Sequence, residues 1–590
     1  VLGVKEQQIK QTTGFTWVAA LIFIFILILN IPLFIRMPLA TDVVLYDLQA
    51  QMVLNGGTLY QDMFETNLPG IVWLHMLVRS SIGMSSDAIR VVDLIIFSGT
   101  ALLLMQWNRR NHLSITGMLW IGIALFSFYF SLSEWCHFQR DTLILLPAVA
   151  AVWLRRKQID RLIQHTESLP RVSFKLVFGW AILEGLGWAT AFWIKPFVAV
   201  PALCVWLGSV WIVKTFRKRI IDFSGLLLGG LCLGAIGIYW MWQSGTWPAF
   251  YTTFTEWNPE YVAARKTGWE PMRFAQFLYR FYPWFLLHLL AVPLALIALK
   301  DYWSLNAKTD KESLVEAGIR DSVLMALFYL GWLLQSFVFQ HLFDYVHPPS
   351  HLLAITVIGG YLGNRYQNCA LTWGWKSGLA FFLMMVVLSF PAFKPQRARL
   401  WKTCLTNSSN PQLKSQLALL VQVNWKDLDA VRQYLQSQEL SDGQLHCYNS
   451  TLVYLYPELS IGPATRFVFF DSVLIFCPNH RKELFEAIDK SQQKYIVTDL
   501  IDSGFGEENT LAKSKDPKQI TPPSYPVSLK GAYPWSHPVV FRAGRYLVHK
   551  VERPLGKFLV TVPTESQVKK FYEKQQKQKQ LKQSKSAESK

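Results

Sequence analysis

Four carboxylates, Asp42, Asp47, Asp62 and Glu65, fall within residues 41–70, immediately after the first long apolar run of the chain. A carboxylate can accept a proton as a general base or orient an acceptor group, and each of the four taken alone is equally explained as solvated surface. Their company is what singles them out. The stretch TDVVLYDLQAQMVLNGGTLYQDMFETNLPG mixes acids with aromatic residues, a turn-forming Asn55-Gly56-Gly57 and Pro69. Cations stand farther along, in WCHFQRDT (135–142), FWIKPF (192–197) and FDYVHPPSH (343–351). Arg140 carries a fixed charge on a planar fork that suits phosphate oxygens, with an ion pair to Asp141 or Glu134 as the plain alternative. Lys195 sits beside Pro196 in a tight turn between two apolar runs, where snorkelling to the interface is the plain alternative. His137, His347 and His351 could add donors or carry a proton, or serve as hydrogen-bonded interfacial groups.

The elements that must position these groups are membrane helices. Half of the 590 residues are hydrophobic (51%) and only 17% are charged, and the mean hydropathy is positive at +0.21. A soluble enzyme of this size rarely has that balance. The apolar residues gather in runs of roughly 18 to 20, the length a helix needs to cross the hydrocarbon. The first run, 15–34, is too long for a signal-peptide core and reads as a retained span. Further candidates lie near 88–107, 114–133, 141–155, 177–194, 197–214, 222–242, 283–300, 321–339, 351–363 and 375–393, giving about eleven spans. With the N-terminus in the cytoplasm, about 20 basic residues fall in inner loops and about 9 in outer ones. The first loop (37–87) and the C-terminal region are then extracytoplasmic. Within that loop the pattern predicts an amphipathic helix over about 43–54 and a second, interfacial helix beginning near Pro69.

With those residues and their order in view, the stretch resembles a known family, the GT-C glycosyltransferases that use lipid-phosphate sugars (glycosyltransferase family 39), in particular the bacterial relatives of protein mannosyltransferases and the aminoarabinose transferase. The likeness rests on Asp42, Tyr46, Ala50, Gly56, Gly57, Tyr60, Asp62 and Pro69, continues through Gly83 and Arg90, and returns at Tyr345 and Pro348. It covers most of residues 15–363. It implies a polytopic α-helical membrane protein that moves a sugar from a polyprenyl-phosphate donor to a hydroxyl of an extracytoplasmic acceptor, which could be a lipid, a glycan or a protein. Such a reaction needs a base for the acceptor proton, and the resemblance gives that role to Asp42, with Asp62 and Glu65 as orienting groups. A single attacking step inverts the anomeric centre. Tyr60, His137, Arg140, Asp141, Lys195, Tyr345 and His347 are the expected substrate-binding residues. Where the family often has a Lys after the second acid, this chain has Thr66 and Asn67, so the phosphate charge has to be met by Arg140 and Lys195. The resemblance also implies a bacterial plasma membrane with the active site on the extracytoplasmic side. Asp141 with Asp42 could hold a divalent cation, but no dense ligand spacing is present and no obligatory metal is expected.

Glu184 lies within an apolar run, where a charge faces a cavity or a partner; a hydrogen-bonded structural role is the plainer reading. The long connection 243–282 interleaves Trp, Tyr and Phe with Arg265, Lys266, Arg273 and Arg280. It reads as an interfacial belt that also covers the donor chain or the acceptor. Beyond residue 393 the pattern predicts a soluble α/β domain over 394–566, with strands in QLHCYN, RFVFF, KYIVTDL and PVVFRAGRYLVHKV, and a disordered tail over 567–590. Cys447 and Cys477 are a candidate disulfide, and Asn407 and Asn449 begin Asn-x-Ser/Thr sequences. The net charge of +18 comes largely from inner loops and the tail and brings no nucleic-acid recognition motif, so anionic lipid is the expected partner. Two rival readings remain open, a secondary transporter and a non-catalytic membrane subunit. A transporter would tend to show related halves with broken helices near the midplane; no such repeat is evident, and the ionisable cluster sits at the outer surface.

Overall fold

The computed structural model describes residues 2–110, 114–163, 174–213, 215–263, 271–306, 314–340, 343–365, 384, 395–420, 422–504 and 532–555. The chain separates into two compact units, 1–429 and 430–590.

In the first unit the helices are α1 (Leu2–Arg36), α2 (Thr41–Leu54), α3 (Gly70–Ser81), α4 (Ser86–Arg110), α5 (Ile115–Ser131), α6 (Arg140–Leu143), α7 (Leu145–Ile163), α8 (Phe174–Ile194) and α9 (Ala199–Ile212). They continue as α10 (Phe216–Gln243), α11 (Trp247–Thr252), α12 (Asn258–Ala263), α13 (Pro271–Arg280), α14 (Leu286–Asn306), α15 (Leu314–Leu334), α16 (Pro348–Arg365), α17 (Pro395–Thr406) and α18 (Pro411–Leu417). Among the described residues six helices are long and apolar enough to cross a membrane: 16–36, 86–108, 174–194, 216–243, 286–304 and 318–339, with 115–131 and 196–212 as shorter apolar helices. Only a third of the 16–36 window is buried, and Trp17, Leu21, Phe25 and Ile28 turn outward. Such a face is a liability in water and an ordinary surface in lipid. The molecule is a polytopic helical membrane protein.

The expected span at 141–155 differs, because the helix breaks at Ile144 and its continuation α7 ends in basic turns. The expected span at 351–363 lies in α16, and 375–393 falls outside the described residues apart from Met384. Ion pairs buried in the bundle pin its helices together. Arg155 on α7 binds Glu184 on α8 at 2.8 Å and Asp222 on α10 at 2.5 Å, and Arg156 pairs with Asp321 on α15. Glu184 therefore has the structural role its sequence context favoured.

Residues after 394 do not at once begin the second unit. Helix α17 runs along α1, with Trp401 Nε1 donating to Ile28 O (2.9 Å) and Arg36 Nε to Cys404 O (3.1 Å). Glu134 accepts the amides of Leu419 (2.8 Å) and Leu420 (3.0 Å). These contacts move the division from the expected 393 to 429, since the polar composition that suggested an independent domain belongs in part to segments packed on the bundle.

The second unit holds β1 (Leu445–Cys447), β2 (Tyr495–Asp499), β3 (Val539–Ala543) and β4 (Tyr546–Lys550) in the order β1-β2-β4-β3. The first pair is parallel and the others antiparallel, and β3 and β4 form a hairpin at Gly544 (φ 53°). RFVFF is not a strand: Phe470 opens the helix Phe470–Phe476 instead, because a short buried apolar run has no period that separates strand from helix. Cys447 and Cys477 are both buried and are not joined by a disulfide, so the expected bridge is absent. Asn449 is buried, its side-chain oxygen accepting the Asp499 amide at 2.8 Å, whereas Asn407 is exposed. The tail over 567–590 lies outside the described residues.

Candidate active site

The joint between α1 and α2 fixes where Asp42 stands. Arg90 on α4 donates to the carbonyls of Met37 (3.2 Å) and Pro38, and Arg36 pairs with Asp87. Helix α2 then starts at Thr41, so Asp42 occupies its first turn, where the helix dipole favours an anion. Asn55 ends the helix and Gly56 follows with φ +91°, a conformation glycine adopts without strain. Helix α3 begins at Gly70, where an added Cβ would lie 2.5 Å from the backbone of Trp193. Only glycine permits that approach, which draws the first loop against the end of α8 and Lys195.

A clamp holds the two loop helices together. Arg79 on α3 grips Asp47 on α2 through Nε–Oδ1 (2.5 Å) and Nη2–Oδ2 (2.7 Å), and its Nη1 donates to Gly83 O and Ser85 O at 2.8 Å each. Burial alone would raise the Asp47 pKa; the bonds from His75 and Arg79 outweigh it and hold the carboxyl below its ordinary 3.8. The stability this contributes is present above the unfolded value and lost as pH falls through the lowered one. Replacing Arg79 by Met leaves a buried carboxylate without its partner, a loss of about 3–5 kcal/mol. A marked drop in thermal-unfolding midpoint in detergent, partly recovered when Asp47→Asn is added, is the expected result.

Beside this loop lies a cavity of about 420 Å³, lined by Thr66, Asn67 and Leu68 of the loop, by Arg140, Lys195, Pro196 and Phe197, by Phe254, Asn258, Pro259, Tyr261 and Val262, and by Phe339, Gln340, Phe343, Tyr345 and Val346. Its walls are mostly carbon. Two π-helical turns, Thr253–Trp257 and Gln335–Phe339, contribute Phe254 and Phe339; such turns re-aim side chains that a regular helix would point elsewhere.

The polar groups gather around Arg140 and Lys195. Lys195 is buried, with Nζ 2.5 Å from Asp141 Oδ2 and 5.7 Å from the Tyr345 ring centre. Burial pulls its pKa down to about 8 against the opposing pull of Asp141, with Arg140 adding to the lowering. Arg140 has its guanidinium carbon 5.9 Å from the Tyr46 ring centre. Among the described residues no carboxylate comes within ion-pair distance of it, which leaves a cation at the cavity wall with its charge unclaimed. Asp42 is not itself on the wall but lies within electrostatic reach of Arg140, Glu65, Lys195 and Tyr345. Burial raises its pKa from 3.8 to about 6, with Arg140 drawing it down and Glu65 pushing it up.

Of the residues expected from sequence, Asp42, Arg140, Asp141, Lys195 and Tyr345 are thus brought together. The others are placed elsewhere. Asp62 is exposed and caps a turn by accepting the Thr58 amide at 2.7 Å. Glu65 is buried and fully engaged: Oε1 accepts the amides of Thr66 (2.8 Å) and Asn67 (2.9 Å) and the Asn67 side chain (2.5 Å), while Oε2 accepts Gln49 Nε2 (3.0 Å). It shapes the loop that forms the wall. Tyr60 lies beneath that wall, with a positive φ of 67° and its hydroxyl donating to Asn67 O at 2.5 Å. His137 is buried against Phe34 with Nε2 2.9 Å from Tyr129 O. His347 is buried among Phe277, Phe281 and Phe337, and His351 bonds back to His347 O at 3.0 Å. Burial lowers the His137 and His347 pKa values to about 3, so both rings are neutral, and neither lines the cavity.

Asn67, Asn258 and Gln340 were not singled out as binding residues, and the cavity adds them. Asn258 donates to Thr66 O (3.1 Å), and Gln340 reaches Asp141 Oδ1 at 3.4 Å. Isolated amides in loops carry no spacing signal. The connection 243–282 contributes Phe254 and four residues of α12 to the cavity wall; Arg265 and Lys266 lie outside the described residues, and Arg280 pairs with Asp344 at 2.5 Å. Among the described residues no three His, Cys, Asp or Glu side chains assemble as a metal site, and the Asp141 oxygens already face Lys195 and Gln340.

The fold is similar to that of two crystal structures of ArnT from Cupriavidus metallidurans. One is bound to undecaprenyl phosphate (TM-score 0.49) and the other is in the apo state (TM-score 0.47); each is 13% identical and is matched over 93% of this chain and 99% of that chain. No protein-family model matches the chain, and no curated protein matches it. Identity this low leaves the chemistry to be read from the cavity itself.

Proposed function

We propose that the protein is a membrane glycosyltransferase that takes its sugar from a polyprenyl-phosphate donor and passes it to a hydroxyl of an extracytoplasmic lipid, glycan or protein. One observation carries the reading: a desolvated carboxylate, Asp42, lies within electrostatic reach of an unclaimed guanidinium, Arg140, and a buried ammonium, Lys195, both of which line a carbon-walled cavity in a membrane bundle. The aromatic walls at Phe197, Phe254, Phe339 and Phe343 suit a polyprenyl chain. The phosphate then meets Arg140 and Lys195, and the amides of Asn67, Asn258 and Gln340 remain for sugar hydroxyls.

In the reaction the acceptor oxygen forms a bond to the anomeric carbon as the bond from that carbon to the phosphate oxygen breaks. The bonding pair leaves with the phosphate, where the two cations stabilise the growing charge. The acceptor proton goes to the Asp42 carboxylate. Because attack and departure occupy opposite faces of the sugar, the product has inverted configuration. No metal is assigned a part, and the bacterial plasma membrane, with the cavity on its outer side, is the setting this chemistry fits.

Deletion of the gene tests the reading without assuming the sugar. Mass spectrometry of the membrane is expected to show a build-up of one polyprenyl-phosphate sugar and the disappearance of one envelope glycoform, both reversed by the wild-type gene. Unchanged glycans and lipids would sink it.

A further inference from the structure

At the other end of the bundle, α7 ends in four basic residues, Arg155, Arg156, Lys157 and Arg161. Arg155 and Arg156 turn inward to Glu184, Asp222 and Asp321. Lys157 and Arg161 do not. With Trp153 they form a stripe at four-residue spacing, one side of the helix, and that side is only partly buried.

Lys157 Nζ stands 4.5 Å from the centre of the Trp153 ring and 5.9 Å from that of Trp180 on α8, and the Arg161 guanidinium lies 4.2 Å from Trp180. Stacking on indoles holds two long, flexible cations in place. Among the described residues neither Lys157 nor Arg161 makes an ion pair. Among the described residues two donors here are buried without an acceptor, Arg161 Nη1 and Trp153 Nε1. A buried guanidinium N–H with no acceptor is costly. Lys218 at the start of α10 closes on the same place by donating to Leu162 O at 2.6 Å. Trp180 lies roughly 22 Å along α8 from Lys195, at 1.5 Å per residue, so the patch is separate from the cavity.

We propose that Trp153, Lys157, Arg161 and Trp180 form a binding site for the headgroup of an anionic phospholipid. The phosphate supplies the acceptor that Arg161 and Trp153 lack and the negative charge that two stacked cations call for, while the acyl chains lie along the outward apolar face of α8, at Phe174, Leu176 and Leu183. A neutral, zwitterionic headgroup brings its own cation and gains less.

The test is lipid retention by the purified full-length protein and needs no sugar transfer. Wild type is delipidated, exposed to mixed vesicles of phosphatidylglycerol and phosphatidylcholine, re-extracted and weighed by native mass spectrometry. Wild type is expected to keep phosphatidylglycerol in preference, a Lys157→Gln/Arg161→Gln variant to lose that preference by about tenfold or more, and a Lys157→Arg variant to retain it. Should the double variant fail to fold, Arg161→Gln alone is measured in the same way. Equal retention by the glutamine variant, equal retention of phosphatidylcholine, or displacement of the lipid by inorganic phosphate, which would mark a site for free anions, each overturns the assignment.

Discussion

Replacing Asp42 by Asn is expected to abolish sugar transfer while making the folded protein more resistant to heat. The first effect follows from the role of base proposed for it. Positioned general bases contribute about 10²–10⁴-fold, and the loss should fall on kcat with donor binding retained. The pH dependence of the wild type carries the same signature. With the Asp42 pKa raised to about 6 by burial, the active ionised form disappears below that value, so kcat/KM should fall tenfold per unit of pH there. The second effect has the opposite sign. A carboxyl whose folded pKa lies above its unfolded value of 3.8 favours the folded state while protonated, and that contribution is lost as pH rises through about 6. At pH 7.5 the ionised group burdens the fold by up to about 3 kcal/mol, which Asn does not. Unfolding midpoints of the two proteins should differ at pH 7.5 and converge near pH 4. Activity that survives in Asp42→Asn would rule out this residue as the base.

Arg140→Gln is expected to give the second-largest loss, about 10²–10³-fold in kcat, the usual effect of removing a donor aimed at developing charge. The structural reason is that this guanidinium is the unclaimed one: Lys195 already shares its charge with Asp141 at 2.5 Å. Arg140→Lys keeps the charge and gives up the fork, so it should recover part of kcat and little of donor affinity. Steady-state kinetics with the polyprenyl-phosphate donor varied would separate the two. A Gln variant with wild-type kcat would mean that the phosphate is held elsewhere.

Much of the site could be read from the chain because its signals are local. An acid directly after an apolar run, an Asn-Gly-Gly turn and a proline at a helix start located α2, α3 and Asp42 before any coordinates. Arg140 and Lys195 were legible as cations at the ends of apolar runs. What escaped was the difference between residues that face the cavity and residues that build its wall. Glu65 and Asp42 are alike as sequence, yet one is saturated by three nitrogens of its own loop and a glutamine, and the other is left to the cations. His137 and His347 lay in the right segments but turned into aromatic packing. Which way a side chain turns within a loop depends on neighbours hundreds of residues away, and no period records it. The division at 429 escaped for the same reason, since Glu134 holds the amides of Leu419 and Leu420 across 285 and 286 positions.

The charge trio inside the bundle bears on how the protein comes into being. Arg155 emerges from the ribosome first, its partner Glu184 follows 29 residues later, and Asp222 comes 67 residues after Arg155. A helix with an acid at its middle is a poor candidate for release into lipid alone, at a penalty of about 2.5–3.5 kcal/mol on insertion scales. Retention of the arginine-bearing helix at the translocon until its successors arrive would let the three enter the bilayer already paired. Biogenesis of this protein is therefore a matter of timing between neighbouring segments as well as of their greasiness.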